Sequence, residues 1–278
     1  MAYVDAFFDR DSDIIRVVER KDGKRHFHEY QSKYTWYYED PRGKYKSIYG
    51  DPLTRVVCKS TKDFRKELAI NKGKTMFESD VNPIFQCLSE NYLNQDAPKL
   101  NVVFWDIETD FDPERGFAPV EDPFMPITAI TVHLQWLDML VTVAMPPKGL
   151  PMEEAEAMCK QRWGESCLLF PNSEVGEQQM LSTFLDLIED ADIHSGWNSE
   201  GYDVPYTVNR IKRILSSDDT RRFCLWGQKP KRREYEKFGK TSETYDTIGR
   251  VHMDYLNLYR KYTYEERHTY RLDAIGEM

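Results

Sequence analysis

Phe104-Trp105-Asp106-Ile107-Glu108-Thr109 is the stretch on which the reading of this chain turns. It closes an apolar run, so Asn101 to Ile107 reads as a strand apolar on both faces, the pattern of a buried central strand. Side chains alternate across a strand, which sends Asp106 and Glu108 to one face, ~6.6 Å apart along the chain. Ile107 points the other way, into the core. Two acids at the end of an apolar strand are costly unless something positive sits between them. Mg²⁺ or Mn²⁺ suits such oxygen ligands. The plainer alternative is a strand running out into solvent with its last acids hydrated. An isolated Asp-x-Glu does not choose between the two.

Working outward, Ile127 to Leu134 and Leu137 to Ala144 read as the next two strands of a meander. Helices are expected near Met152 to Gln161 and Glu174 to Glu189, the second with Leu181, Phe184, Leu185 and Ile188 on one stripe. A short strand (Asp192 to Trp197), a loop and a helix from Asp203 to Leu215 follow. Strands and helices gathered around one central strand fit a mixed α/β (α+β) sheet. Upstream, short apolar runs (Ile14 to Val18, Phe27 to Gln31, Tyr45 to Tyr49, Arg55 to Cys58) are cut by turn signals such as Asp22-Gly23-Lys24 and Pro41-Arg42-Gly43. Ser60 and Asp63 stand in capping-box spacing ahead of a helix from Thr61, and a second helix is expected from Pro83 to Leu93. The domain boundary is placed near residue 99, giving a β-rich N-terminal domain over 1–98 and a mixed-sheet domain over 99–278.

The bulk numbers bound the class. The 278 residues are 40% apolar and 31% charged, which suits a globular protein and not a disordered one. No apolar run approaches the ~18–20 residues needed to span a bilayer, and the N-terminus lacks a signal-peptide layout. A cytoplasmic location is expected, the host cytoplasm if the gene belongs to a phage. Five cysteines without a Cys-x-x-Cys suit reduced thiols, not disulfides or structural zinc. The net charge of −9 lends nucleic-acid binding no support, so local features must carry any such function.

A second local feature is Trp197-Asn198-Ser199-Glu200-Gly201-Tyr202-Asp203. Asp203 falls at a helix start, where the dipole favours its ionised form. It reads equally as an ordinary helix cap. A third is the basic stretch from Lys229 to Lys240, with Phe238-Gly239-Lys240 as a hairpin tip. Arg232, Arg233 and Lys240 interleave there with Tyr235 and Phe238, as strand-binding surfaces do, although a solvated charged loop is the plainer reading.

Taken in order, these segments resemble the family B DNA polymerases, especially those of large tailed phages. Asp106-Ile-Glu-Thr resembles the family's first exonuclease motif, and Asn198 with Tyr202-Asp203 the second. Phe77-Glu-Ser-Asp-Val81 with Pro83 to Tyr92, Arg250 to Tyr259, and Tyr270-Arg-Leu-Asp-Ala-Ile275 resemble flanking segments. The resemblance implies an RNase H-like 3′–5′ exonuclease domain behind an N-terminal domain, with single-stranded DNA 3′ ends or primer-template DNA as partner. It implies two divalent cations, Mg²⁺ or Mn²⁺, ~3.5–4 Å apart on the scissile phosphate. Asp106, Glu108 and Asp203 would be catalytic metal ligands. Asn198 and Tyr202 would position the strand, and a β-hairpin at Arg232, Arg233, Phe238 and Lys240 would help to part primer from template. The family's third motif, Tyr-x-x-x-Asp, is not found, nor are the polymerase signatures. The expectation is an unfinished exonuclease domain, weak alone and completed by further chain or by a second, C-terminal polymerase polypeptide. The alternative is a catalytically inactive DNA-binding or assembly subunit of a split polymerase.

Overall fold

The computed structural model describes residues 3–237, 240–265 and 267–277, and the chain divides after Lys99 into two units. In the first unit, β1 (Tyr3–Asp9), β2 (Ile14–Lys21) and β3 (Lys24–Gln31) form an antiparallel sheet in that order. Asp22 and Gly23 turn β2 into β3 with φ of 52° and 75°, the left-handed pair a two-residue hairpin requires. A second sheet has the order β5-β6-β4-β7, from β4 (Tyr34–Glu39), β5 (Tyr45–Lys46), β6 (Pro52–Cys58) and β7 (Met76–Phe77).

Helices α1 (Thr61–Ile70) and α2 (Pro83–Tyr92) flank β7 in sequence. Ser60 caps α1 by accepting the Asp63 N–H, and Asn82 caps α2. Ile15 and Val17 of β2 pack with Cys87, Leu88 and Tyr92 of α2. The strand expected over Tyr45 to Tyr49 stops at Lys46. The Ser47 hydroxyl accepts from Tyr49 N and Asp51 N, and these local bonds divert the backbone into a turn.

The second unit is built on β8 (Val102–Thr109), β9 (Ile127–Leu134), β10 (Met139–Ala144), β11 (Cys167–Leu169), β12 (Ile193–Gly196) and β15 (Val251–Asp254). These form a six-stranded mixed sheet in the order β11-β10-β9-β8-β12-β15. The strands β8, β9 and β10 pair antiparallel, whereas β8, β12 and β15 run parallel. Around the sheet lie α3 (Met152–Trp163), α4 (Glu174–Leu187), α5 (Asp203–Ile214), α6 (Tyr255–Tyr262) and the short α7 (Leu272–Gly276). A separate hairpin pairs β13 (Lys231–Lys237) with β14 (Lys240–Asp246).

One face of β8 is core: Val103, Trp105 and Ile107 are buried with Leu181, Phe184 and Leu185 of α4 and Val204, Val208 and Ile211 of α5. The other face departs from the expected all-apolar strand, because Val102 and Phe104 are only half-buried and Asp106 and Glu108 are exposed. The strand expected from Leu137 starts at Met139, since Gln135–Leu137 forms a short 3-10 turn closed by Asp138 at φ 50°. All five cysteines are free thiols. Among the described residues no helix is long and apolar enough to cross a membrane.

Candidate active site

Strand β12 accompanies β8 only as far as the Ser195–Phe104 pairing. At Gly196 the chain passes so close that an added Cβ would lie 2.6 Å from the Trp105 carbonyl oxygen. The chain then leaves the sheet, and the edge of β8 beyond Phe104 is left open. It returns through Asn198, in the left-handed region at φ 58°, and Tyr202, and α5 begins at Asp203. The Asp203 carboxyl closes the open edge: its Oδ1 accepts the backbone N–H of Ile107 at 3.1 Å. It also lies close enough to Asp106 for the two charges to act on each other. Two acids 97 positions apart in the chain thus meet at the end of the central strand.

Burial first, then the Asp106 charge, raises the Asp203 pKa to about 7; its bonds to the Ile107 and Asp203 N–H groups pull the other way without prevailing. The helix start favours the ionised form, whereas desolvation and the neighbouring acid push the other way. Asp106 is raised as well, by desolvation and then by Glu108, with the nearby Asp203 partly offsetting both. Two carboxyls this close repel each other when both are charged, so only one of the pair ionises readily. No ion pair joins Asp106, Glu108 or Asp203 to a described Lys or Arg.

A hard divalent cation fits this donor set, because it would neutralise the charge the two acids build against each other. The fit is to two of the three acids. Glu108 lies on the Asp106 face of β8, yet no set of three Asp, Glu, His or Cys among the described residues is gathered closely enough to hold a metal ion.

The remaining candidates separate. Tyr202 lies beside the acids: its hydroxyl shares a 3.1 Å hydrogen bond with Thr109, and burial, then Asp203 and Glu108, raises its pKa. The ring of Tyr202 packs on Tyr206, whose hydroxyl donates to the Met125 carbonyl at 2.7 Å. Asn198 donates its N–H to Asp254 Oδ1. Arg232 Nε donates to Glu243 at 2.6 Å, and Arg233 bonds Asp246 at 2.9 Å and Glu200 at 2.5 Å. Both arginines are thus matched by carboxylates. Phe238 and the Lys240 side chain lie outside the described residues.

Sequence reasoning missed Gly196, Asp254 and the Glu177–Arg210 pair behind α5. An Asp ahead of the apolar residues of α6 was a cap signal for Asp254, but nothing local announces its reach to the loop.

Residues 56–275 match the family model described as DNA polymerase family B, exonuclease domain. The chain belongs to that family. The matched span begins inside the first unit, well before the central strand of the second. The DNA-directed DNA polymerase of Escherichia phage RB69 is 26% identical over 261 residues, covering 86% of this chain and 28% of that protein. That of Enterobacteria phage T4 is 33% identical over 103 residues, covering 36% of this chain and 11% of that protein. This family B segment therefore spans less than a third of the length of these curated relatives. It corresponds to the exonuclease portion of phage family B polymerases, a nuclease-type enzyme built on a mixed α/β sheet.

Proposed function

We propose that the second unit is an RNase H-like exonuclease domain that removes nucleotides from the 3′ end of single-stranded DNA, as the proofreading part of a phage replicative polymerase. The observation that carries this is the approach of Asp203 to Asp106 at the end of the central strand, fixed by the Ile107 N–H, with no described Lys or Arg paired to either acid. Asp106 and Asp203 would hold the divalent cations this chemistry uses, with Glu108 on the same face of β8 as the further acid. When bound, such ions lower the pKa of a water and offset the charge that builds on the phosphate. The chain's own residues hold the geometry. Asp203 is fixed to β8 through the Ile107 N–H, and Tyr202 is fixed to Thr109 on the same strand. Asn198 and Tyr202 stand on the loop where an incoming strand would lie. The hairpin β13–β14 would contribute shape more than unpaired charge, since Arg232 and Arg233 already have carboxylate partners.

Residues 1–278 contain no Tyr-x-x-x-Asp segment at the place the family's third motif would occupy, so the isolated chain should be a weak nuclease. The test compares release of a 3′-terminal label from single-stranded DNA by the isolated chain and by the polymerase carrying this segment, with Mg²⁺ or Mn²⁺. Faster release by the polymerase, abolished by Asp106→Ala while extension continues, is the expected result. Robust Asp106-dependent release by the isolated chain would overturn the weak-nuclease expectation. Release and fidelity indifferent to both Asp106→Ala and Asp203→Ala would favour the inactive assembly reading.

A further inference from the structure

We propose that Asp254, the last residue of β15, is the positioning residue of this site, holding the turn after β12 so that Asp203 reaches Asp106. The proposal rests on the nuclease reading of those two acids. The turn at Asn198 to Gly201 has left the sheet, so its backbone N–H groups have no ladder partners and need acceptors elsewhere. Asp254 pairs in register with Gly196, the residue at which the chain departs, and its buried carboxylate therefore sits level with the turn. Oδ1 accepts from Asn198 N at 3.1 Å and from Leu256 N at 2.9 Å, and Oδ2 accepts from Glu200 N at 3.1 Å.

The other contacts of the turn converge on neighbouring positions. The Ser199 hydroxyl meets His252 Nε2 at 2.9 Å, two residues earlier on β15. Glu200 Oε2 accepts from Asn257 at 2.9 Å, on α6. Strand β15 and the start of α6 thus set where the turn lies, and Asp203 follows it by two residues. Three backbone donors from the turn and from the head of α6 converge on this one carboxylate, which makes the acid a brace.

Asp254→Asn keeps the shape but turns an NH₂ toward the Glu200 N–H, donor against donor. In the metal-free chain, amide hydrogen exchange at residues 198 and 200 should quicken roughly ten- to hundredfold, the scale of one hydrogen bond to a charged group. Amides of α4 should keep their protection. In the polymerase carrying the segment, kcat for 3′-nucleotide release should fall about tenfold or more on the same scale, with KM for single-stranded DNA unchanged. Asp254→Glu, which keeps the acid one methylene further out, should restore part of both, and it takes over the test if Asp254→Asn fails to fold.

Unchanged exchange at 198 and 200 in a folded variant would overturn the brace. Quickened exchange with full kcat would overturn its role in placing Asp203. A wild-type protein without any 3′ release would sink the nuclease reading instead, and the exchange experiment would still decide whether Asp254 holds the turn.

Discussion

Glu177 and Arg210 meet through two parallel hydrogen bonds, Nε to Oε1 at 2.8 Å and Nη2 to Oε2 at 2.6 Å, with both side chains shut off from solvent. Glu177 Oε1 also accepts the Ile127 N–H at 3.0 Å, and Arg210 Nη1 donates to the Pro123 carbonyl at 2.8 Å. The pair thereby joins α4, α5 and the head of β9, and α5 is the helix that presents Asp203 at its other end. Removing one partner of such a pair leaves an uncompensated buried charge. Glu177→Ala should cost ~3–5 kcal/mol, read as a lower urea midpoint at unchanged slope. A loss below about 1 kcal/mol, the ceiling for an exposed pair, would mean that water reaches Arg210.

Gly196 is fixed by proximity and not by dihedral angle. Its added Cβ would fall 2.6 Å from the Trp105 carbonyl and 2.9 Å from Ser199 Cβ. Backbone cannot swing aside as a side-chain tip can, so β12 or β8 must shift. Gly196→Ala should destabilise by ~1–3 kcal/mol, the usual range for overpacking. Since the clash presses on the strand that carries Asp106, 3′-nucleotide release should fall further than stability alone explains. Thermal unfolding together with release rates on the same variant tests both parts, and a wild-type rate in Gly196→Ala would refute the second.

The two halves of the candidate site were unequally legible. Alternation alone puts Asp106 and Glu108 on one face of β8, because that periodicity is local. The meeting of Asp106 with Asp203 depends on β12 lying parallel to β8 and ending two residues before Asp106, a relation no local pattern carries. Resemblance to a family supplied it instead. Asp254 caps α6, a local role a sequence can signal, but its bonds to Asn198 and Glu200 reach back more than fifty residues. In the first unit, β1 escaped notice because adjacent Phe7 and Phe8 break its period of two. β4 escaped because Pro41-Arg42-Gly43 closes it while no Gly or Pro opens it. The hairpin β13–β14 was legible from its tip, whereas the pairing of its arginines with Glu243, Asp246 and Glu200 was not.

His252 gives the fold a dependence on pH from the acid side. Burial holds its pKa below the usual 6.5, and the Asp254 and Glu200 charges only partly oppose this. The native protein therefore binds fewer protons than the unfolded chain once the pH drops below 6.5, and stability falls as the pH descends toward the native value. His252→Gln should remove that loss. Urea midpoints at pH 7.5 and 5.5 for both proteins measure it; an equal acid-side loss in the variant would mean that His252 is not the group responsible.

Asp203 acts in the opposite sense. Its pKa of about 7 lies above the ordinary 3.8, so the native protein binds its proton more tightly than the unfolded chain does. Stability from this group is lowest above pH 7 and recovers as the pH falls from 7 toward 3.8. Asp203→Asn keeps an acceptor for the Ile107 N–H, places a donor toward Asp106 and removes the charge. The variant should accordingly melt higher than wild type at pH 8, with the gain vanishing near pH 4. Mg²⁺ or Mn²⁺ relieves the same repulsion by binding the native state, so either ion should raise the melting temperature of wild type at pH 8 more than that of the variant. Equal melting of the two proteins at pH 8, with equal response to the ions, would mean that Asp203 and Asp106 do not burden each other and that no cation is held between them.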